Sequence, residues 1–198
     1  MNKLVIIGAG GHGRVTADTA RLNGYEDIVF LDDGDVPAAA GMVSDYMKYA
    51  AEADFIVAIG NGAVRERIQT MLSDAGCRIT TLIHPNAVIG SGVTIGEGTV
   101  VMAGAVVNTG AQIGCGVILN TCCSADHDCV IGDYCHISVG AHLAGSVTVG
   151  ASTFICAGAT VINNTAVCGN CVIGAGAVVI RNIDAPGTYA GVPAKKIK

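Results

Sequence analysis

The sequence predicts a chain of two fold classes: an α/β unit over residues 1–84, then an all-β parallel β-helix over residues 85–198. The second assignment rests on a six-residue beat. Every sixth residue from Ile89 through Ile95, Val101, Val107, Ile113 and Leu119 to Val179 is aliphatic, and fifteen of the sixteen are branched, Ala125 being the exception. Two residues before each stands a small or β-branched side chain, from Ala87 and Val93 to Cys171 and Ala177. Short strands joined by tight corners satisfy such a period, with three hexads in each triangular coil and a little over five coils in all. A β-sandwich would instead show alternation broken by turns roughly every 8–12 residues. The first assignment rests on apolar runs that end in glycine, the pattern of buried parallel strands with ligand sites at their carboxyl ends.

Taken in order, Leu4-Val5-Ile6-Ile7 reads as a buried strand and Gly8-Ala9-Gly10-Gly11-His12-Gly13 as the turn after it. A helix is expected over residues 14–23, closed by Gly24, and a second strand over 28–31, ending in Asp32-Asp33. A third strand is expected over 55–59, ending in Gly60-Asn61, and a helix over 65–75, stopped by Gly76. Residues 79–83 lead out, and His84-Pro85 opens the coil. Within the coil, Gly90, Gly96, Gly114, Gly132, Gly150 and Gly174 follow aliphatic positions, where the chain is expected to turn. Residues 18 apart should stack directly above one another, which places side chains without coordinates.

Composition limits the function. The 28 glycines and 4% aromatic content suit small corners. A net charge of −5 argues against nucleic acid and against an anionic membrane surface. No apolar run is long enough to cross a bilayer and no cleavable leader is evident, so a cytoplasmic location is expected. Four of the nine cysteines, Cys123, Cys129, Cys135 and Cys171, fall on small inward positions, and the set is read as structural thiols, with no metal and no bridge expected.

Gly8-x-Gly10-x-x-Gly13 with Asp32 about 20 residues on formally matches a dinucleotide fingerprint. Half of a dinucleotide fold suits a mononucleotide instead: exposed amides at a helix start hold a diphosphate, and paired acids take nucleoside groups. A nucleotide-sugar site, bound NAD and a purely structural turn remain open. In the coil, Asn120-Thr121-Cys122-Cys123-Ser124-Ala125-Asp126-His127-Asp128 breaks the apolar monotony. His127 lies two residues past the inward position, so it should project outward at a corner, with an acid on either side. A carboxylate on one ring nitrogen would fix the tautomer and leave the other as a base. The competing reading is a solvated corner histidine. Gly145, one coil above, would expose its amide to a developing oxyanion.

From about Pro85 onward the chain resembles the left-handed β-helix, hexapeptide-repeat acyltransferases. The Gly-Ala-Gly-Gly-His-Gly turn, Phe30-Leu31-Asp32-Asp33, Ala58-Ile59-Gly60-Asn61 and Leu82-Ile83-His84-Pro85, in that order, extend the resemblance over the whole chain. They narrow it to the nucleotide-amino-sugar N-acetyltransferases of bacillosamine and perosamine type and the sialic acid O-acetyltransferase proteins. The resemblance implies a Rossmann-like half domain holding a UDP- or GDP-linked amino sugar through Gly10, Gly11, His12, Gly13, Asp32, Asp33, Gly60 and Asn61. It implies catalysis by His127, with Asp128 as preferred orienter, Asp126 as competitor and Asn120 in the same stretch. It implies acetyl-CoA bound by His136, Gly145 and the closing loop Tyr189-Ala190-Gly191-Val192-Pro193-Ala194-Lys195-Lys196. Lys195 and Lys196 would meet the cofactor's phosphates, and Ala157 and Ala175 would line its pantetheine channel. His142 has no matching role and is read as surface. A homotrimer with active sites at subunit boundaries is expected, transferring acetyl to a sugar 4-amino group in bacterial glycan synthesis. Sugar O-acetylation and a non-catalytic nucleotide-sugar-binding trimer are the alternatives.

Overall fold

The computed structural model describes residues 2–198. Its first part is a four-stranded parallel sheet in the order β2-β1-β3-β4. The elements are β1 (Lys3–Ile7), α1 (Gly11–Leu22), β2 (Asp27–Leu31), β3 (Asp54–Val57), α2 (Gly62–Asp74) and β4 (Arg78–Ile79). After Lys3, β1 is apolar because both faces are covered. Leu4 and Ile6 pack with Ala17 and Ala20 of α1, and Val5 and Ile7 pack with Ile68 and Leu72 of α2.

Both helices start three residues earlier than the sequence suggests. Gly10 is the N-cap of α1 and Gly11 its first residue. Asn61 caps α2, its side chain accepting from the Val64 amide at 3.1 Å. Glycines in a first turn hide a helix start from a propensity reading. Between β2 and β3 the chain forms a short 3-10 helix, Val43–Lys48.

The second part is a left-handed parallel β-helix of about six turns. Two-residue strands stack in three parallel faces at a register of 18, as in Ile118 opposite His136, Ser124 opposite His142 and Gln112 opposite Val130. Leu82–Ile83 already pairs with Val100–Val101, so the beat begins one hexad before Ile89. From Val101 to Val179 the aliphatic series, with most of the small residues two before it, forms one continuous core.

The corners correct one expectation. The chain turns through left-handed backbone three residues after each aliphatic position, at Gly92, Gly98, Gly104, Gly110 and Gly116 and, without glycine, at Cys122, Asp128, Tyr134, Ser146 and Ser152. The glycines immediately after the aliphatic residues serve the spacing between coils instead. A Cβ on Gly132 would lie 2.7 Å from the Ala151 amide of the next coil.

The α/β unit docks on the first coil face. Leu82, Val100, Met102 and Ile118 join the cluster of Leu4, Ala17 and Ile56, and the Asn23 side chain donates to the Ile83 carbonyl at 3.0 Å. At the far end, Gly187–Ala190 adds a strand beside Cys171–Ile173. Lys195–Lys196 then returns antiparallel after the cis Val192–Pro193 bond.

Candidate active site

His127 occupies the corner between the second and third faces, in a column with Gly145. The Ser146 amide donates to the His127 carbonyl at 2.8 Å, and the Asn164 amide donates to the Gly145 carbonyl at 3.0 Å. Asp128 supplies the left-handed turn, φ 58°. That conformation brings its carboxylate back to its neighbour's ring, with Oδ2 2.9 Å from Nδ1 of His127. Asp126 is engaged elsewhere, its Oδ1 accepting from Asn108 Nδ2 at 2.7 Å and from the His127 amide at 2.8 Å. Of the two acids flanking His127, Asp128 is therefore the one on the ring. The hydrogen bond to Asp128 raises the imidazole's pKa above its ordinary 6.5, against slight desolvation.

The other ring edge faces Gly145. A Cβ there would lie 2.6 Å from Cε1 of His127 and would collide with Nε2. Stacking by 18 thus identifies this contact from sequence. The Gly145 amide has no hydrogen-bond partner among the described residues. The ring, 55% exposed, presents one free nitrogen beside one free amide.

His136 lies on the first face, away from that corner. Its ring stacks on Phe154 at 4.7 Å and on His12 at 6.3 Å, and its Nε2 is 3.1 Å from Asn120 Nδ2. Burial pushes both histidines down to about 4, helped in His12 by the Arg65 cation and in His136 by His12 and Arg65. Nε2 of His12 is buried without a hydrogen-bond partner. Asn120 therefore joins His136 and not His127, while its Oδ1 accepts from the Thr121 amide at 2.8 Å.

At the strand ends of the α/β unit, Gly10, Gly11 and Gly60 face open space, leaving their backbone approachable. Gly13 is different: a Cβ there would collide with the Gly8 carbonyl, so its absence lets α1 close on the turn. Asp32 organises the same turn, accepting from the Ala9 amide at 2.7 Å and the Gly34 amide at 2.8 Å. Asp33 accepts from the Val43 amide at 2.9 Å. Both acids hold loop backbone with one or two oxygens and keep lone pairs for a ligand.

The remaining residues spread over the prism. Ala157 and Ala175 are exposed and stack in the corner between the first and second faces, not in the His127 column. Lys195 is exposed, and Lys196 donates to the Pro186 carbonyl at 2.9 Å. With Arg181 and Tyr189 they line a cleft at the coil's end. His142 is exposed, 2.9 Å from the Ser124 hydroxyl. The corner of His127 lies across the prism from the face that carries the α/β unit, so one chain does not bring His127 together with the residues at the strand ends.

Two features escaped the sequence reading. Arg65 is fully buried. Its Nε donates to the Gly116 carbonyl at 2.6 Å, Nη1 to Ile59 at 2.6 Å and Gly60 at 3.2 Å, and Nη2 to Tyr134 at 2.6 Å and Cys135 at 3.2 Å. Nothing in a helix containing Arg65, Glu66 and Arg67 marks the first as internal. The second is Cys168-Gly169-Asn170-Cys171, a CxxC spacing that sorting cysteines by repeat phase conceals. The fold sets their sulfurs 3.5 Å apart as free thiols. No cluster of three or more metal-ligating side chains occurs among the described residues, nor does any helix long and apolar enough to cross a membrane.

Comparison with known proteins accounts for both parts. Residues 3–72 match the PglD N-terminal domain and residues 80–109 the bacterial transferase hexapeptide, six repeats. The acetyltransferase domain of PglB from Neisseria gonorrhoeae is 40% identical over 100% of both chains, with a TM-score of 0.95. Its complex with acetyl coenzyme A matches with a TM-score of 0.94 over 99% of both chains. PerB from Caulobacter crescentus, in complex with CoA and GDP-perosamine, is 34% identical over 100% of this chain and 98% of its own, with a TM-score of 0.95. The chain belongs to the left-handed β-helix, hexapeptide-repeat acyltransferases with a PglD-type N-terminal domain.

Proposed function

We propose that this protein transfers the acetyl group of acetyl-CoA to the 4-amino group of a nucleotide-linked amino-dideoxy sugar, with His127 as general base. The observation that carries this reading is the corner itself. Asp128 holds one nitrogen of His127, while the other opens toward the unpartnered amide of Gly145. The ligands bound by its relatives, acetyl coenzyme A in one and CoA with GDP-perosamine in another, support the choice of donor and acceptor.

The chemistry follows from these groups. The sugar amine attacks the thioester carbonyl, and the oxyanion that forms is stabilised by the Gly145 amide. Nε2 of His127 takes the proton lost by the amine, and Asp128 stabilises the resulting imidazolium. Collapse of the tetrahedral adduct breaks the C–S bond. The departing CoA sulfur receives the proton from His127, which returns neutral.

The reading requires a homotrimer. A sugar held at the strand ends of one α/β unit reaches a His127 corner on a neighbouring coil, and the column of Ala157 and Ala175 faces the cofactor's arm across the same boundary. Lys195, Lys196 and His136 belong to the cofactor side, and the reaction runs in the cytoplasm.

The test is acetyl-CoA turnover, followed by thiol release, against UDP- and GDP-linked 4-amino sugars with free sialic acid beside them. His127→Ala should fold normally and lose on the order of 10²–10⁴ in kcat, the usual contribution of a positioned base. Wild-type turnover in the alanine variant removes His127 from the mechanism. Turnover with sialic acid alone replaces N- by O-acetylation.

A further inference from the structure

The geometry points to Arg65 as a positioning residue for this transfer. It fixes the nucleotide-binding loop to the coil, and so sets where the held sugar stands. The inference rests on the functional reading above.

A buried guanidinium normally sits beside a carboxylate, because desolvating an unpaired cation is expensive. Among the described residues no acid pairs with Arg65. Five backbone carbonyls surround it instead, and its Nε, Nη1 and Nη2 all donate to them. The carbonyls come from both parts of the protein. Ile59 and Gly60 follow β3, inside the loop expected to hold the nucleotide. Gly116, Tyr134 and Cys135 belong to two coil corners stacked one above the other. A planar fork of donors with fixed geometry locks the orientation of these segments, which a flexible ammonium or an aliphatic side chain does not.

Two neighbours show how tight the junction is. Gly62, the first residue of α2, is pressed on the same corner, and a Cβ there would stand 2.8 Å from the Tyr134 carbonyl. His136 follows Cys135 directly, and its ring meets His12 of the glycine-rich turn across the seam. The guanidinium therefore ties Ile59 and Gly60 to the coil rung that leads into His136, the same rung that the His12 ring of the glycine-rich turn meets. Acetyl transfer needs the sugar amine within bonding distance of a thioester lying along the coil. A loop displaced by about 1 Å lowers the rate on the order of 10²-fold even when binding persists.

The experiment uses the intact trimer with Arg65→Lys, Arg65→Met and Gly62→Ala, the last leaving the guanidinium in place while pushing α2 off the Tyr134 carbonyl. Binding of UDP and GDP is measured by calorimetry, turnover by thiol release, and folding by circular dichroism and light scattering. The inference expects unchanged nucleotide affinity and unchanged KM for acetyl-CoA. It expects kcat lower on the order of 10²-fold in Arg65→Met and in Gly62→Ala, with partial recovery in Arg65→Lys. A folded Arg65→Met with wild-type kcat overturns it, as does loss of nucleotide affinity equal to the loss of turnover. If Arg65→Met does not fold, Gly62→Ala decides by the same criteria. Wild-type protein that releases no thiol with any amino sugar overturns the functional reading instead. In that case scanning calorimetry still decides the docking role. One cooperative transition in the wild type splits into two in Gly62→Ala if the clamp couples the parts, and stays single if it does not.

Discussion

Gly145→Ala isolates the geometry of the proposed catalytic corner without removing the His127 ring or the residue 145 amide. The added Cβ would stand 2.6 Å from Cε1 and 3.1 Å from Cδ2 of His127. Carbon atoms pack at about 3.5–4.0 Å, so the ring must retreat by roughly 1 Å. It is free to do so because its side chain is 55% exposed. Gly145 itself is not in left-handed backbone, and an alanine at this corner adds no conformational strain. Stability should therefore change by no more than about 0.5 kcal/mol, the usual range for surface substitutions, which moves Tm by about 1–2 °C in a chain of this size. Retreat shifts Nε2 away from the amine and crowds the free amide, and a misplacement of that size lowers kcat on the order of 10²-fold. Initial rates of thiol release, measured beside a thermal melt, check both halves. Wild-type kcat in a folded Gly145→Ala trimer would show that contact between this column and the reacting atoms is not required, and the corner would lose its role.

Further outcomes follow from other contacts. The Asp128 hydrogen bond raises the His127 pKa, and the base must be neutral to act, so kcat/KM should rise with pH through a group above 6.5. Asp128→Asn removes that cause and should move the limb toward lower pH; an unmoved limb separates the titration from His127. His12 and His136 titrate near 4 in the folded state, below the ordinary 6.5. Between those values the unfolded chain binds the protons, so stability is lost as pH falls from about 6.5 toward 4, by on the order of a few kcal/mol for the pair. Thermal melts over that range should show a shallower acid loss in His12→Gln than in the wild type, and identical slopes would contradict the burial argument. Asp32→Ala frees the Ala9 and Gly34 amides and should raise KM for the nucleotide sugar while leaving KM for acetyl-CoA unchanged, as steady-state kinetics will show. Light scattering of the active protein should give a trimer; a fully active monomer would exclude a site shared between copies.

The repeat made the coil legible because its period is local and its consequence repetitive. A branched residue every six positions admits one stacking, and stacking by 18 carries His127 to Gly145 with no further information. The acid on the ring was less legible. Asp126 and Asp128 are equivalent in spacing, and the choice falls to Asp128 because its left-handed backbone folds the carboxylate back while Asn108, one coil below, occupies Asp126. Asn120 shows the limit of reading by proximity in sequence: seven residues from His127, it lies a corner away and meets His136.

The chain's own pattern determined the two fold classes, the order of elements, the inward and outward phases and the outward corner of His127, since each depends on neighbours at fixed separations. Tertiary structure alone decided what crosses between the two parts: Arg65 internal to the junction, His12 against His136, and the His127 corner on the side of the prism away from the α/β unit. Those facts depend on which coil face the α/β unit covers. That choice is made by Leu82, Val100, Met102 and Ile118, apolar residues on outward phases of a coil whose other outward residues look much the same in sequence.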